Sequence, residues 1–410
     1  MFFMRNLRKL LRVGCVSICG MLAASVGGAE ESRPAVFAHY MPWYASKPVS
    51  GHWGWHWTMG HFDPEVIRKD GSREAATHDE PLIGLYDSSD PDALACQVLL
   101  MKLVGIEGVI IDWYGIREVN DYAEIHRNTL ALIPFLKKAG LKFAICYEDQ
   151  SIGNQVKAGK LSAEEALTQG REVMAWLEAN WFGDEAYFKV DERPVMLMFG
   201  PQYFERESWD VVQSVLTTKP LVFALPHLSK NIGATGSFAW PPVTGGKTVS
   251  SAEWRTELDR LYASDRPVIP VAFPGFHDIY ERAELHESYG HIDDREGKTF
   301  AETLDLALKS ESAFLQIATW NDYGEGTVIE PTRQKGYRNL ETLQERVGPK
   351  ELSVEDLRLP VRWYRLKKGL SNNGEAMEAL EKTSDLLFDS QWEAARKELD
   401  RWQERIKENQ

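Results

Sequence analysis

Asp322 and Glu325 stand three positions apart in the run Trp320-Asn321-Asp322-Tyr323-Gly324-Glu325-Gly326. Two carboxyls at that spacing can divide acid and base work. One protonates a leaving oxygen and the other activates water or attacks carbon, as cleavage of a glycosidic bond requires. Gly324 and Gly326 let the backbone turn tightly and approach a ligand. Trp320 and Tyr323 can exclude water, which raises the pKa of whichever carboxyl is to be the acid. Three residues span at most about 10 Å. The carboxyls can therefore sit about 5 Å apart, as in double displacement, or wider, as in single displacement. The plain alternative is a turn carrying two solvated acids, and position in the fold decides between the two.

A second cluster is aromatic. His52-Trp53-Gly54-Trp55-His56-Trp57 follows Trp43 and Tyr44 closely. Sugar faces are C–H patches rimmed by hydroxyls, and flat rings beside donors and acceptors suit them. The same rings can simply cover a barrel mouth. His52 and His56 are four apart, with His61 and Asp63 beyond, but Gly54 and three tryptophans argue against the helix that would aim both imidazoles at one ion. No metal is expected. Asp112, Glu148 with its neighbour Asp149, and His277 are further polar residues able to bind hydroxyls or to serve structure. The sequence holds no nucleotide-binding glycine motif, no Gly-x-Ser-x-Gly elbow and no cysteine–histidine pair. No cofactor is expected.

Short apolar runs must position these residues. Ala35–Tyr40, Val109–Trp113, Phe143–Tyr147, Val195–Phe199, Leu221–Ala224, Ser237–Trp240, Val268–Phe273 and Phe314–Thr319 are mostly apolar without alternation. Strands buried on both faces read this way. Amphipathic runs lie between them. Ser89-Asp90-Pro91 opens one that Gly105 ends, Ile125 to Lys138 makes another that stops at Gly140, and Ser162-x-x-Glu165 is a capping box. The pattern predicts an α/β protein, a (β/α)8 TIM-type barrel, with an incomplete barrel or open sheet as the alternative. In such a barrel the strands' C-terminal ends carry the chemistry. Those ends read His39-Tyr40-Met41-Pro42-Trp43-Tyr44, Asp112-Trp113-Tyr114-Gly115, Tyr147-Glu148-Asp149, Trp240, Phe273-Pro274-Gly275-Phe276-His277 and the Asp322/Glu325 run. Aromatic and acidic residues gather at one end. After about residue 355 the pattern turns helical, over Leu357 to Lys368 and Glu375 to Glu408, and predicts a C-terminal helical appendage or a partner-binding helical pair. The expected division is 1–29 leader, 30–350 barrel and 351–410 appendage.

Arg5, Arg8, Lys9 and Arg12 precede the apolar stretch Val13 to Ala24 and the small residues Gly27-Gly28-Ala29. This reads as a secretory signal, and the apolar run is too short to span a bilayer comfortably. A secreted or periplasmic product is expected, with no membrane span after cleavage. Loss of those four cations takes the net charge from −14 to −18. That excludes nucleic acid and anionic surfaces as good partners but permits neutral glycans. Only Cys96 and Cys146 remain, and both read as buried free thiols. Oligomeric state is left open.

At these residues the sequence resembles the glycoside hydrolase family 71/99-like group. The matching stretches are His39 to Tyr44, Pro81 to Pro91, Gly108 to Gly115, Ile145 to Glu148 and Thr319 to Pro331, in order over most of residues 34–335. The resemblance implies a (β/α)8 barrel with its site at the C-terminal mouth. Family 99 acts on α-mannosides internally and has Glu-x-x-Glu where Asp322 and Glu325 stand. The second acid is its general acid/base, and the first assists the sugar's 2-hydroxyl through an anhydro-sugar intermediate. Family 71 acts on α-1,3-glucans and looks like Trp-Asn-Asp-Tyr-Gly-Glu there. Asp322 thus follows family 71, while Gly326 and Ile329-Glu330-Pro331 follow family 99. The resemblance further implies sugar contacts at Tyr44, Trp113, Glu148 and Trp240. His39, Trp53, Asn321 and Tyr323 are added as candidates from the strand ends and the aromatic run. The seventh-strand tryptophan of family 99 has no match, since Phe276-His277-Asp278 stands in that region. The expected activity is hydrolysis of an α-linked polysaccharide or glycan, acting internally. The alternatives are a non-catalytic carbohydrate-binding barrel and a barrel serving polysaccharide synthesis.

Overall fold

A computed structural model describes residues 33–408 of the chain. The leader reading, on residues 1–29, lies outside them. Eight strand positions form a barrel. They are β1 Ala35–Tyr40, β2 Gly108–Trp113, β3 Lys142–Tyr147, β4 Arg193–Met198, β5 Leu221–Ala224, β6 Gly236–Phe238, β7 in two halves Val268–Ile269 and Val271–Ala272, and β8 Phe314–Ile317. Neighbours in sequence pair in parallel, and β8 pairs with β1 (Ala35↔Phe314, Ala38↔Ile317). The ring closes through β7. Its first half pairs with β6 (Phe238↔Ile269) and its second with β8 (Ala272↔Ile317). Pro270 stands between the halves because it has no N–H to give either neighbour. Its carbonyl accepts from the Gln316 N–H at 2.9 Å.

Strand side chains alternate between the barrel lumen and the helix shell. Phe37, Ile110, Cys146, Leu197, Phe223 and Phe314 pack together inside. Val109, Ile111, Trp113 and Tyr147 belong to the larger core shared with the helices. Those helices are α1 Pro91–Leu103, α2 Tyr122–Ala139, α3 Ala163–Leu177, α4 Arg206–Gln213, α5 Ser251–Tyr262, α6 Lys298–Leu308 and α7 Arg338–Val347. Their starts follow local chemistry. Asp90, within the expected Ser89-Asp90-Pro91 opening, caps α1 by accepting from the Asp92 N–H, and Ser162 and Glu165 form the expected capping box of α3. Residues 225–235 between β5 and β6 form turns where a crossover helix was expected.

The C-terminal helices are α8 Leu359–Gly369, α9 Gly374–Phe388 and α10 Trp392–Glu408. The stretch read as one helix from Glu375 breaks at Ser390, whose φ of 61° is left-handed. Helix α8 packs on α1 beside the ion pairs Lys367–Asp92 (2.7 Å) and Lys368–Asp90 (2.9 Å). The buried Trp363 indole donates to the Leu380 carbonyl of α9 at 2.8 Å. Cys96 and Cys146 are both buried and unbridged.

Candidate active site

The run from Thr319 to Gly326 leaves β8 and is pinned on two sides. On the β1 side, the Trp320 N–H donates to the His39 carbonyl at 2.7 Å. The Asn321 amide accepts from the Met41 N–H (2.8 Å) and donates to the Met41 carbonyl (3.0 Å) and the Tyr86 oxygen (2.9 Å). Tyr44 donates to the Asn321 carbonyl at 2.8 Å and accepts from the Tyr323 N–H at 3.1 Å. On the β7 side, the His277 and Ile279 N–H groups donate to the Glu325 and Gly324 carbonyls, each at 2.9 Å. Gly326 has φ +67°, and a Cβ there would lie 2.5 Å from the His277 carbonyl oxygen. No side chain fits that approach.

Below the loop lies a buried polar anchor. Glu330 accepts from Gln97 (2.8 Å), Tyr86 (3.1 Å) and Tyr323 (2.8 Å). Burial pushes its carboxyl up to about 7 although these three donors oppose the rise. Asn321 and Tyr323 are fully buried. Their hydrogen bonds hold the loop, and Tyr44 does the same from the segment after β1.

The loop delivers two acids to the mouth. Asp322 is buried, and its Oδ1 accepts from the Glu325 N–H at 3.0 Å. Burial raises its pKa to about 7, the nearby Asp112 charge adds to the rise, and the backbone N–H groups of Glu325 and Gly324 oppose it. Glu325 is partly exposed, with its Oε2 facing no protein partner. Burial and then the Asp322 charge push its pKa well above the usual carboxylate range, against a hydrogen bond from Trp240. Glu148, at the end of β3, is raised by burial and then by Asp112, Asp149, Glu325 and Asp322. Four acids from β2, β3 and β8 therefore share one low-dielectric mouth.

His39 and Asp112 lie at the floor. The His39 ring meets Trp240 edge-on at 5.0 Å, and its Nδ1 is 3.4 Å from Gln316 Oε1. His39 Nε2 and Asp112 Oδ1 are buried without a protein partner. With Cys146 they offer ligand atoms within 4.8 Å of one another. Polar atoms orphaned this way are satisfied by a substrate hydroxyl, a water or an ion.

Two expected contacts do not join this group. Trp113 follows the inward Asp112 and so points outward. It is sealed among His126, Trp176 and Trp181 of the helix shell, with its indole 3.2 Å from His126. Trp53 turns to Glu65, donating at 2.6 Å, with Arg73 over its ring. The histidines of that run are also spent separately. His56 pairs with Asp121 at 3.2 Å and stacks on Trp43 at 4.1 Å, and His52 lies 4.0 Å from Glu124. Tyr114 and Tyr280 were not singled out from sequence. Burial raises both, followed by Glu148 for Tyr114 and by Glu325 and Asp322 for Tyr280. Tyr114 is readable in hindsight as the residue after an outward Trp113. Tyr280 sits in a loop whose path no periodicity specifies.

No protein-family profile matches the chain, and no curated protein matches its sequence. Solved structures do match its fold. A GH99 endo-alpha-mannosidase from Bacteroides thetaiotaomicron superposes with TM-score 0.55 at 17% identity, over 82% of this chain and 98% of that one. A second structure of a GH99 endo-alpha-mannosidase from that genus, in complex with Bis-Tris propane, gives TM-score 0.52 at 17% identity, over 72% and 87%. A protein described as glycoside hydrolase-like gives TM-score 0.51 at 13% identity, over 80% and 98%. The chain shares their barrel fold.

Proposed function

We propose that this chain is a glycoside hydrolase of α-linked glycans, with Glu325 as general acid/base and Asp322 as its partner base. The observation that carries the reading is the unequal pair of acids on one loop. Asp322 as an anion accepts backbone N–H groups, which favours its ionisation first. Glu325 has no comparable backbone support, and burial and then the Asp322 charge favour its protonated form, so it holds the proton. A coupled pair of this kind shares one proton near neutral pH.

In the reaction Glu325 gives its proton to the glycosidic oxygen as the bond to the anomeric carbon breaks. Asp322 takes a proton from either water or the sugar's 2-hydroxyl, and the freed oxygen bonds to that carbon. On the second route, Glu325 then deprotonates a water whose oxygen bonds to the anomeric carbon, and Asp322 returns its proton to the sugar's 2-oxygen as the anhydro ring opens. Glu148, His39, Asp112 and Trp240 surround the bound ring with hydrogen-bonding groups and one aromatic face. The fold shared with endo-acting α-mannosidases supports an α-mannoside first and an α-glucan second. We also take residues 1–29 as an export leader, which brings the enzyme to extracellular or periplasmic glycans.

The test is reducing-end release from α-mannans and α-1,3-glucans by the protein starting at Glu30. Release by the wild type that falls by about 10³-fold or more in Glu325→Gln supports the reading. Equal release by both proteins would remove Glu325 from the chemistry. Glycan binding without release by the wild type would favour a binding barrel.

A further inference from the structure

Among the described residues, Trp55 and Tyr289 are the exposed large aromatic side chains, at 47% and 48% exposure. Both lie at the mouth, on the loops after β1 and β7. Since β8 pairs with β1 on one side and with β7 on the other, these loops flank the loop that carries the acids. Each aromatic also ends a line of rings that starts at the acids. On the β1 side, Tyr114 stacks with Trp43 (6.4 Å), Trp43 with His56 (4.1 Å), and Trp55 meets His56 edge-on (5.0 Å). On the β7 side, Tyr280 lies 5.6 Å from Tyr289, and His286 bridges them at 4.7 and 4.8 Å. The Tyr280 hydroxyl is 3.5 Å from where a Gly324 Cβ would stand. A flat ring held beside a sugar site offers an apolar face to the C–H side of a sugar. The rings behind fix each one in place, so a ligand need not order it.

We propose that Trp55 and Tyr289 are outer sugar-stacking platforms, one on each side of the acid pair, and that they commit the site to internal bonds of an extended glycan. This rests on the glycosidase reading. A chain lying across the β8 loop meets a ring on both flanks, whereas a disaccharide cannot span the two. Neutral rings also suit an unsubstituted glycan better than an anionic one in so acidic a mouth.

The experiment compares wild type, Trp55→Ala and Tyr289→Ala on dimeric and hexameric α-mannan and α-1,3-glucan oligosaccharides, with binding of each hexamer measured by calorimetry. Both side chains are exposed, so the variants fold. Each variant should lose about five- to tenfold in kcat/KM or affinity on the hexamer, through KM, and at least fivefold less on the dimer. Equal losses at both lengths, or none, would overturn the platforms. If the wild type hydrolyses nothing, weakened hexamer binding in both variants still supports the platforms while the catalytic reading fails. Unchanged hexamer binding would overturn them there too.

Discussion

Replacing Asn321 by alanine removes three hydrogen bonds at a position with no solvent exposure. The Met41 N–H and carbonyl lose their partners outright, while Tyr86 keeps its bond to Glu330. A stranded buried neutral group costs roughly 1–3 kcal/mol. Two such groups and the small cavity together give about 3–5 kcal/mol, a fall in Tm of about 4–7 °C for a domain of this size. The β8 loop also loses its tie to the β1 loop, so glycan turnover falls further than stability alone explains. Circular dichroism melts measure the first effect, and reducing-end release well below Tm measures the second. Asn321→Asp supplies a control. Its carboxylate still accepts from the Met41 N–H but opposes the Met41 carbonyl, and its protonated form donates there again. That variant should be least stable at pH 8 and recover toward pH 5. An alanine variant within about 1 kcal/mol of wild type would refute the clamp.

Other consequences are equally direct. Glu330 is raised from 4.5 to about 7, so its protonated form is the stable one in the fold. Its contribution is full below about pH 4.5 and lost as pH rises to about 7, about 3 kcal/mol in all. Glu330→Gln should flatten the stability slope across that window, read by urea unfolding at each pH, and an unchanged slope would count against it. Gly60 and Gly326 share φ +67°, but a Cβ at Gly60 meets nothing within 4 Å. Gly60→Ala should therefore cost only about 1 kcal/mol, and Gly326→Ala clearly more, with loss of activity. Trp363→Ala should cost about 3–5 kcal/mol by loosening α8 from α9, checked by thermal unfolding.

The strands were legible because a short apolar run without alternation, bounded by polar turns, fits little except a strand covered on both faces. β1 and β5 match their predicted spans, and the others shift by one or two residues at one or both ends. Val268–Phe273 read as one strand, yet Pro270 divides it, and the division lets the barrel close. The crossover between β5 and β6 was over-read because barrel regularity, not residues 225–235, argued for a helix. The break at Ser390 had a weak local signal, Asp389-Ser390, in otherwise helical sequence. The acids were legible as a motif. The direction of Trp113 was legible too, since period-two alternation sends it outward once Asp112 points in. The holding roles of Asn321, Tyr323 and Glu330 were not. Their partners Met41, Tyr86 and Gln97 are more than 200 residues away. Only closure of the barrel brings them together.

The central claim is that Glu325 protonates the leaving oxygen, and leaving-group dependence tests it most directly. Wild type and Glu325→Gln would be compared on aryl glycosides of the cleaved glycan, with phenols of increasing acidity. An acidic phenol departs without a proton, so the account predicts near-normal first-turnover release of dinitrophenol by the variant and almost none of phenol. A uniform loss across the series, or no loss at all, would contradict it.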